Sequence, residues 1–380
     1  MKSLAVKRCM LIWKSNYSYQ NKFFVKLATI IDKIGGWLFF AKKRSTLDPQ
    51  KIRKILVVKL DNLGDCYLSL PLFYYLRQLN QTVVVDSLSL ASSRQFFENC
   101  PEVNHCYSVQ KRLGIFQKKL LRTVKENNYD LIIDARGYFS VALFGFLSKI
   151  PQRFGFAEEV GQCFYTNLFQ INQNQHETTK YFNVLQSLGI TVDSWQPKLS
   201  LNNFDSTQVN AFLNSAPKVV VVHPVASQPY KYWPLAYWHE LIGFLLEKKD
   251  CHIFLLGSSL DNDFINKIKD KFPNDNDRLI SCAGKLNLVE NYALISRSSL
   301  FIGNDSVFGH LAGSLVIPTI VLMNRAINRQ RWSPLGQKSQ VFVAPENNHC
   351  CQFDQCGYNC PNMVEIKPSV IIDYIANLET

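Results

Sequence analysis

Lys54-Ile-Leu-Val-Val-Lys-Leu-Asp-Asn-Leu-Gly-Asp65, followed at once by Cys66-Tyr-Leu-Ser-Leu-Pro-Leu-Phe-Tyr-Tyr-Leu-Arg77, decides the fold. A continuous apolar run breaks at a Gly-Asp pair and passes into a helical pattern. That reads as a buried parallel strand over 54–60, a tight loop and a helix over 66–79. It is the first βα unit of a nucleotide-binding α/β fold. Gly64 permits a backbone turn that a Cβ would hinder. Asp65 either caps the helix that follows or faces the crevice at the carboxyl end of the strand, where open α/β sheets bind ligands. In the second role it is a candidate general base, with Asp61, Asn62 and Gly64 on the same loop. Asp61 reads equally well as a structural loop carboxylate.

Outward from this stretch, strands and helices alternate to the end of the chain. Strands are expected over 82–86 and 129–135, and helices over 138–150 and 176–189. A basic amphipathic stretch runs around 113–126. Together, residues 51–200 make one α/β domain, and 201–217, rich in Asn and Ser, make a linker. A second domain over 218–345 is expected to carry strands at 219–223, 251–257, 279–282, 300–303, 318–323 and 341–344. Its helices are expected at 235–248, 289–296 and 306–315. Residues 346–380 form a Cys-rich tail that ends in a helix over 368–378. The alternation implies parallel sheets with helices on both faces.

The formal net charge of +12 is confined to one end. Residues 1–54 hold thirteen Lys and Arg against two Asp, and the remainder is close to neutral. A basic face spread over a folded domain would suit nucleic acid. A basic arm with interleaved aromatics suits an anionic membrane surface. Phe23, Phe24, Leu27, Ile30, Ile31 and Ile34 recur at helical spacing, flanked by Lys22, Lys26 and Lys33. Residues 1–50 are therefore expected as an amphipathic arm whose first 44 residues lie on the inner face of the cytoplasmic membrane. The alternative is that this helix packs on the protein's own body. No run of about 18 apolar residues is present to span a bilayer. Eleven cysteines without an export signal argue for reduced thiols in the cytoplasm.

Four further stretches carry chemistry. His223-Pro-Val-Ala-Ser-Gln-Pro-Tyr-Lys-Tyr-Trp-Pro234 follows a strand and offers Lys231 for phosphate or for charge on a leaving group. In Phe301-Ile-Gly-Asn-Asp-Ser-Val-Phe-Gly-His310 a strand gives way to a helix start, whose free N–H groups, Ser306 hydroxyl and His310 suit a diphosphate. A plain helix cap with a packed histidine fits the same residues. Leu256-Gly-Ser-Ser259 ends another strand, where Gly257 and Ser258 can meet a ribose or base. Cys350, Cys351, Cys356 and Cys360 crowd the tail, but their spacing is not a paired C-x₂-C zinc pattern, and buried reduced thiols or a redox-sensitive loop fit it better than a metal site. No G-x-G-x-x-G, Walker A or G-x-S-x-G motif occurs, against a dehydrogenase, a P-loop NTPase or an α/β-hydrolase.

Together and in this order, these motifs resemble glycosyltransferase family 9, the ADP-heptose:lipopolysaccharide heptosyltransferases. The likeness runs over about 52–378. The family's opening strand and Gly-Asp loop is matched by Ile55 to Asp65, and its H-P-x-A-S and K-x-W-P segments by His223 to Ser227 and Lys231 to Pro234. Ala283-Gly-Lys285 matches an A-G-K segment, Asp305, Ser306 and His310 a D-[ST]-G-x-x-H signature, and Cys360-Pro361 a C-P dipeptide in the tail. The resemblance implies a GT-B architecture, two Rossmann-like parallel-sheet domains facing across a cleft. It implies inverting, metal-independent transfer of heptose or a related sugar from a nucleotide sugar, ADP-heptose, to a lipid-linked saccharide, with no cofactor and no nucleic-acid partner. Carried over, Asp65 is the base and Lys231 steadies the sugar diphosphate. Ser227, Gly257, Ser258, Lys285, Asp305, Ser306, Val307 and His310 fall on the donor side, and Asp61, Asn62 and Gly64 on the acceptor side. Two departures stand out. Val307 replaces the signature glycine, and Ser258 and Ser259 stand where many members carry an acidic residue. They motivate a rival reading, a catalytically inactive nucleotide-sugar-binding protein at the membrane.

Overall fold

The structure is a computed structural model. It describes residues 48–157, 161–172, 174–192, 199, 207–213, 218–248, 250–275, 277–345 and 356–378. The arm up to residue 47, with its membrane contact, and Cys350 and Cys351 lie outside the described residues. The chain divides into two compact units after Leu199.

The first unit is a six-stranded sheet of β1 (Lys54–Lys59), β2 (Val84–Leu90), β3 (Cys106–Val109), β4 (Leu131–Asp134), β5 (Gln152–Phe156) and β6 (Asn167–Phe169). Its strands lie in the order β3-β2-β1-β4-β5-β6, and every neighbouring pair is parallel. The second unit repeats the plan with β7 (Lys218–His223), β8 (Cys251–Leu255), β9 (Leu279–Ser281), β10 (Leu300–Asn304), β11 (Thr319–Leu322) and β12 (Ser339–Phe342). Read as β9-β8-β7-β10-β11-β12, its order is the same, again all parallel. Strand order reverses between β1 and β4 in one unit and between β7 and β10 in the other. Such a switch point opens a crevice at the carboxyl ends of the strands.

Parallel strands covered on both faces must be apolar throughout. Ile55, Leu56, Val57 and Val58 are fully buried, as are Val221 and Val222. Trp233 and Trp238 fill the second core beside Ile242, Leu255 and Ile302.

Several local expectations change. The helix expected over 66–79 is two helices, Leu63–Tyr67 and Leu70–Leu76. Pro71 has no N–H to continue the ladder across Leu68 and Ser69, and the Ser69 hydroxyl instead donates to the Cys66 carbonyl at 2.7 Å. Helical hydrogen bonding begins at Asn62, so Asp65 is the third helical residue and not the cap, while Gly64 lies inside the helix without a positive φ. The second strand falls at Val84–Leu90 rather than 82–86, because parallel pairing sets Lys54 opposite Val84. Among the described residues, no helix is long and apolar enough to cross a membrane.

Candidate active site

In the first unit the mouth of the switch point is framed by the residues that follow β1 and β4. β1 ends on Lys59, a cation with no exposure at all. Its ammonium donates to Asp61 Oδ2 at 3.0 Å and to the Ala135 carbonyl at 3.3 Å. Burial opposes that charge, but Tyr181 and Asp61 more than offset it and hold the ammonium well above its usual range. Asp61 also receives Arg136 Nε at 3.3 Å and the Tyr138 hydroxyl at 3.1 Å. Burial alone would raise the Asp61 pKa, yet the Lys59 and Arg136 cations carry it well below the carboxylate range. The Asp134 carboxylate accepts from the N–H groups of Arg136, Gly137 and Tyr138 and from the Tyr165 hydroxyl at 2.6 Å, which fixes the loop after β4.

Asp65 stands apart from this saturated network. It is 6% exposed, and its Oδ1 has no hydrogen-bond partner among the described residues. Burial, reinforced by the Asp61 charge, pushes its pKa up to about 6. A buried carboxylate with an open lone pair and a pKa near neutrality has the properties of a proton acceptor. A second ion pair, Lys180 with Glu177, lies buried in the turn Glu177–Tyr181. The Tyr181 hydroxyl ties that turn to the same Ala135 carbonyl at 3.1 Å. Asn62, by contrast, is exposed.

In the second unit the equivalent mouth is framed by the residues after β7 and β10. Lys231 closes the single turn Pro229–Lys231, and its ammonium meets Asp305 Oδ2 at 2.7 Å. The Lys231 side chain is 19% exposed and that of Asp305 9%. Ser306 leads the helix Val307–Gly313 but does not cap it, because its hydroxyl is hydrogen-bonded to His223 Nδ1 at 3.1 Å. Burial lowers the His223 pKa to about 4, so the ring is neutral. Gly303 lies where a Cβ would meet the His223 carbonyl oxygen at 3.0 Å, and its absence lets β10 close on β7. His310 is buried one turn into the helix, and Val307 is its half-buried first residue.

The structure therefore brings Lys231, Asp305, Ser306 and His310 to one place. Ser227 is exposed on the preceding loop. Gly257, Ser258 and Lys285 lie at the β8–β9 side of the sheet. There Ser258 donates its N–H and hydroxyl to Asp261, and Lys285 donates to the Ser281 carbonyl at 2.9 Å. Asp261, the first carboxylate after β8 in the chain, is occupied by those bonds as the third residue of a capping box led by Ser258. Lys59, Arg136, Tyr138, Glu177 and Lys180 were not singled out from the sequence. For Lys59 the signal was present, a lone cation inside an apolar strand. The eight described cysteines are free thiols, and among the described residues no group of three or more His, Cys, Asp or Glu could hold a metal.

Comparison with known proteins adds a family. The model of glycosyltransferase family 9 (heptosyltransferase) matches residues 117–361. The chain is 28% identical over 316 residues to lipopolysaccharide heptosyltransferase 3 of Escherichia coli K12, covering 76% of this chain and 84% of that one. Among solved structures it resembles E. coli ADP-heptose lipopolysaccharide heptosyltransferase II, with TM-score 0.72 and 21% identity over 86% of this chain and 98% of that one. It also resembles an E. coli heptosyltransferase solved with ADP, with TM-score 0.66 and 19% identity over 85% and 99% of the two chains. At these identities the structural likeness speaks for the fold, which is GT-B.

Proposed function

The chain belongs to glycosyltransferase family 9, the heptosyltransferases, and on that premise we propose that it moves heptose from ADP-heptose to a lipopolysaccharide core or a similar glycolipid, with inversion. The first unit takes the acceptor and the second takes the donor. Asp65 accepts the proton of the attacking hydroxyl as its oxygen bonds to the anomeric carbon and the bond to the diphosphate breaks. Lys231, the Ser306 hydroxyl and the first N–H groups of Val307–Gly313 meet the charge that develops on the leaving diphosphate. His310 and Asp305 hold the donor beside them.

The observation that carries this reading is Asp65 itself. It is a buried carboxylate, raised to about 6 and left with one oxygen unpartnered, at the mouth of β1. Asp61 and Asp134, by contrast, have both carboxylate oxygens hydrogen-bonded. One relative was solved with ADP, which supports an adenine nucleotide as donor. Replacing Asp65 by Ala is expected to lower transfer by at least about 10²–10⁴-fold while ADP binding persists. Transfer near the wild-type rate in that variant would sink the assignment.

A further inference from the structure

The loop that carries Lys231 is held by two asparagines, one on each side of the lysine, and both are fully buried. Asn304, the last residue of β10, accepts the Trp233 N–H at 3.3 Å and donates to the Pro224 carbonyl at 2.8 Å. Asn324, just beyond β11, donates through its amide nitrogen to the Tyr230 carbonyl at 2.7 Å and to Cys360 Sγ at 3.2 Å. Its oxygen accepts the Ala326 N–H at 3.0 Å and the Asn362 amide at 3.2 Å. An Asn amide has two N–H donors and one acceptor oxygen. All are engaged here, and turning the amide over would put its oxygen against the Tyr230 carbonyl and its N–H groups against the Ala326 N–H.

The tail segment grips the same loop elsewhere. The Tyr358 ring packs edge-on against Tyr232 at 4.9 Å, and Trp233 Nε1 donates to the Ile366 carbonyl at 2.7 Å. The lysine ammonium hangs on four rotatable bonds, so where it can reach depends on where its backbone is held. A functional group has to be held within about 0.5 Å to act. Tyr230 immediately precedes the lysine, and Asp305, its ion-pair partner, immediately follows Asn304. The framework thus fixes both ends of the Lys231–Asp305 pair.

We propose that Asn324 is a positioning residue for Lys231, oriented by Cys360 and Asn362 of the Cys-rich tail. This rests on the reading that Lys231 serves the donor diphosphate, and it gives Cys360 a task that is neither metal ligation nor disulfide bonding: accepting one hydrogen bond inside a framework. The tail is then part of the donor site without touching the donor.

The test is a double-mutant cycle in the full chain, with ADP binding by calorimetry and the KM for ADP-heptose as readouts. Asn324→Ala is expected to weaken ADP binding about fivefold to tenfold, the scale of one lost hydrogen bond to a working group. In a Lys231→Ala background the same replacement is expected to add nothing, because its effect passes through the lysine. Cys360→Ala is expected to raise the donor KM about threefold to fivefold, and Cys360→Ser, which keeps an acceptor, to restore it, with the acceptor KM unmoved in both. The cysteine variants keep the proposal testable if Asn324→Ala does not fold. A loss in Asn324→Ala that persists undiminished beside Lys231→Ala overturns the positioning role alone, as does equal behaviour of Cys360→Ala and Cys360→Ser. Unchanged ADP binding in Lys231→Ala overturns the donor-site reading and this proposal with it.

Discussion

Asp65 is kept where its own charge is penalised, and that has a consequence for stability. Its pKa rises from the ordinary 3.8 to about 6 on folding. A carboxyl raised in this way favours folding at low pH and loses that contribution as pH climbs through the folded value. Asp65→Asn, which carries no charge, is therefore expected to be more stable than wild type at pH 7 by up to about 3 kcal/mol. The gain is expected to vanish near pH 4, and urea unfolding at the two pH values checks it. Asp61 is the second-largest cause of the shift. Asp61→Asn is expected to move the acid limb of the transfer-rate profile below pH 6. The same change costs about 3–5 kcal/mol, because Lys59 and Arg136 lose a buried counter-charge. An acid limb that stays in place would separate Asp65 from Asp61. At this scale the sequence showed the candidate base but not what surrounds it. Arg136 and Lys180 reach the cluster from the loop after β4 and from the turn Glu177–Tyr181, and only tertiary folding brings those positions to Asp61 and Asp65.

Among the elements, the strands of the second sheet were legible out to its edges β9 and β12, whereas the outer strands of the first sheet were not. β1, β7 and β10 are unbroken apolar runs with one reading. β3, β5 and β6 are short outer strands of mixed residues such as Gln152-Arg-Phe-Gly-Phe156, whose place is set by pairing partners rather than by pattern. The helix Asn262–Lys269 was also missed, although its Ile265 and Ile268 are buried. One connection shows how tightly these elements are laid together. Gly284 takes φ +68, and a Cβ there would lie 2.9 Å from Ser259 Cα. The loop after β9 is thus pressed against the turn after β8. Gly284→Ala is expected to destabilise the fold by about 1–3 kcal/mol. A lowered denaturation midpoint at unchanged m-value is the expected signature, and an unchanged midpoint would mean that the loop relaxes freely.

For the molecule as a whole, the expectation that reaches furthest concerns the basic residues ahead of the first sheet. Removing residues 1–47 is expected to abolish sedimentation with anionic vesicles and to leave transfer to a short soluble acceptor intact. Retained vesicle binding would remove the arm from the membrane reading, and DNA binding that disappears with the arm would favour nucleic acid instead. The two sheets of the molecule share one strand order, and that repetition can be followed to individual positions. The last residues of β1 and β4 are Lys59 and Asp134, whereas the last residues of β7 and β10 are His223 and Asn304. The same two places on the same scaffold are filled by an ammonium and a carboxyl group in one half, and by a neutral imidazole and an amide in the other. In the first half the charged groups stand on the strand ends themselves, whereas in the second the charged pair, Lys231 and Asp305, is supplied by the loops beyond them. A single backbone plan thereby offers two different local dielectrics at its two strand-end crevices, one built around a buried ion pair and one around a neutral imidazole and an amide.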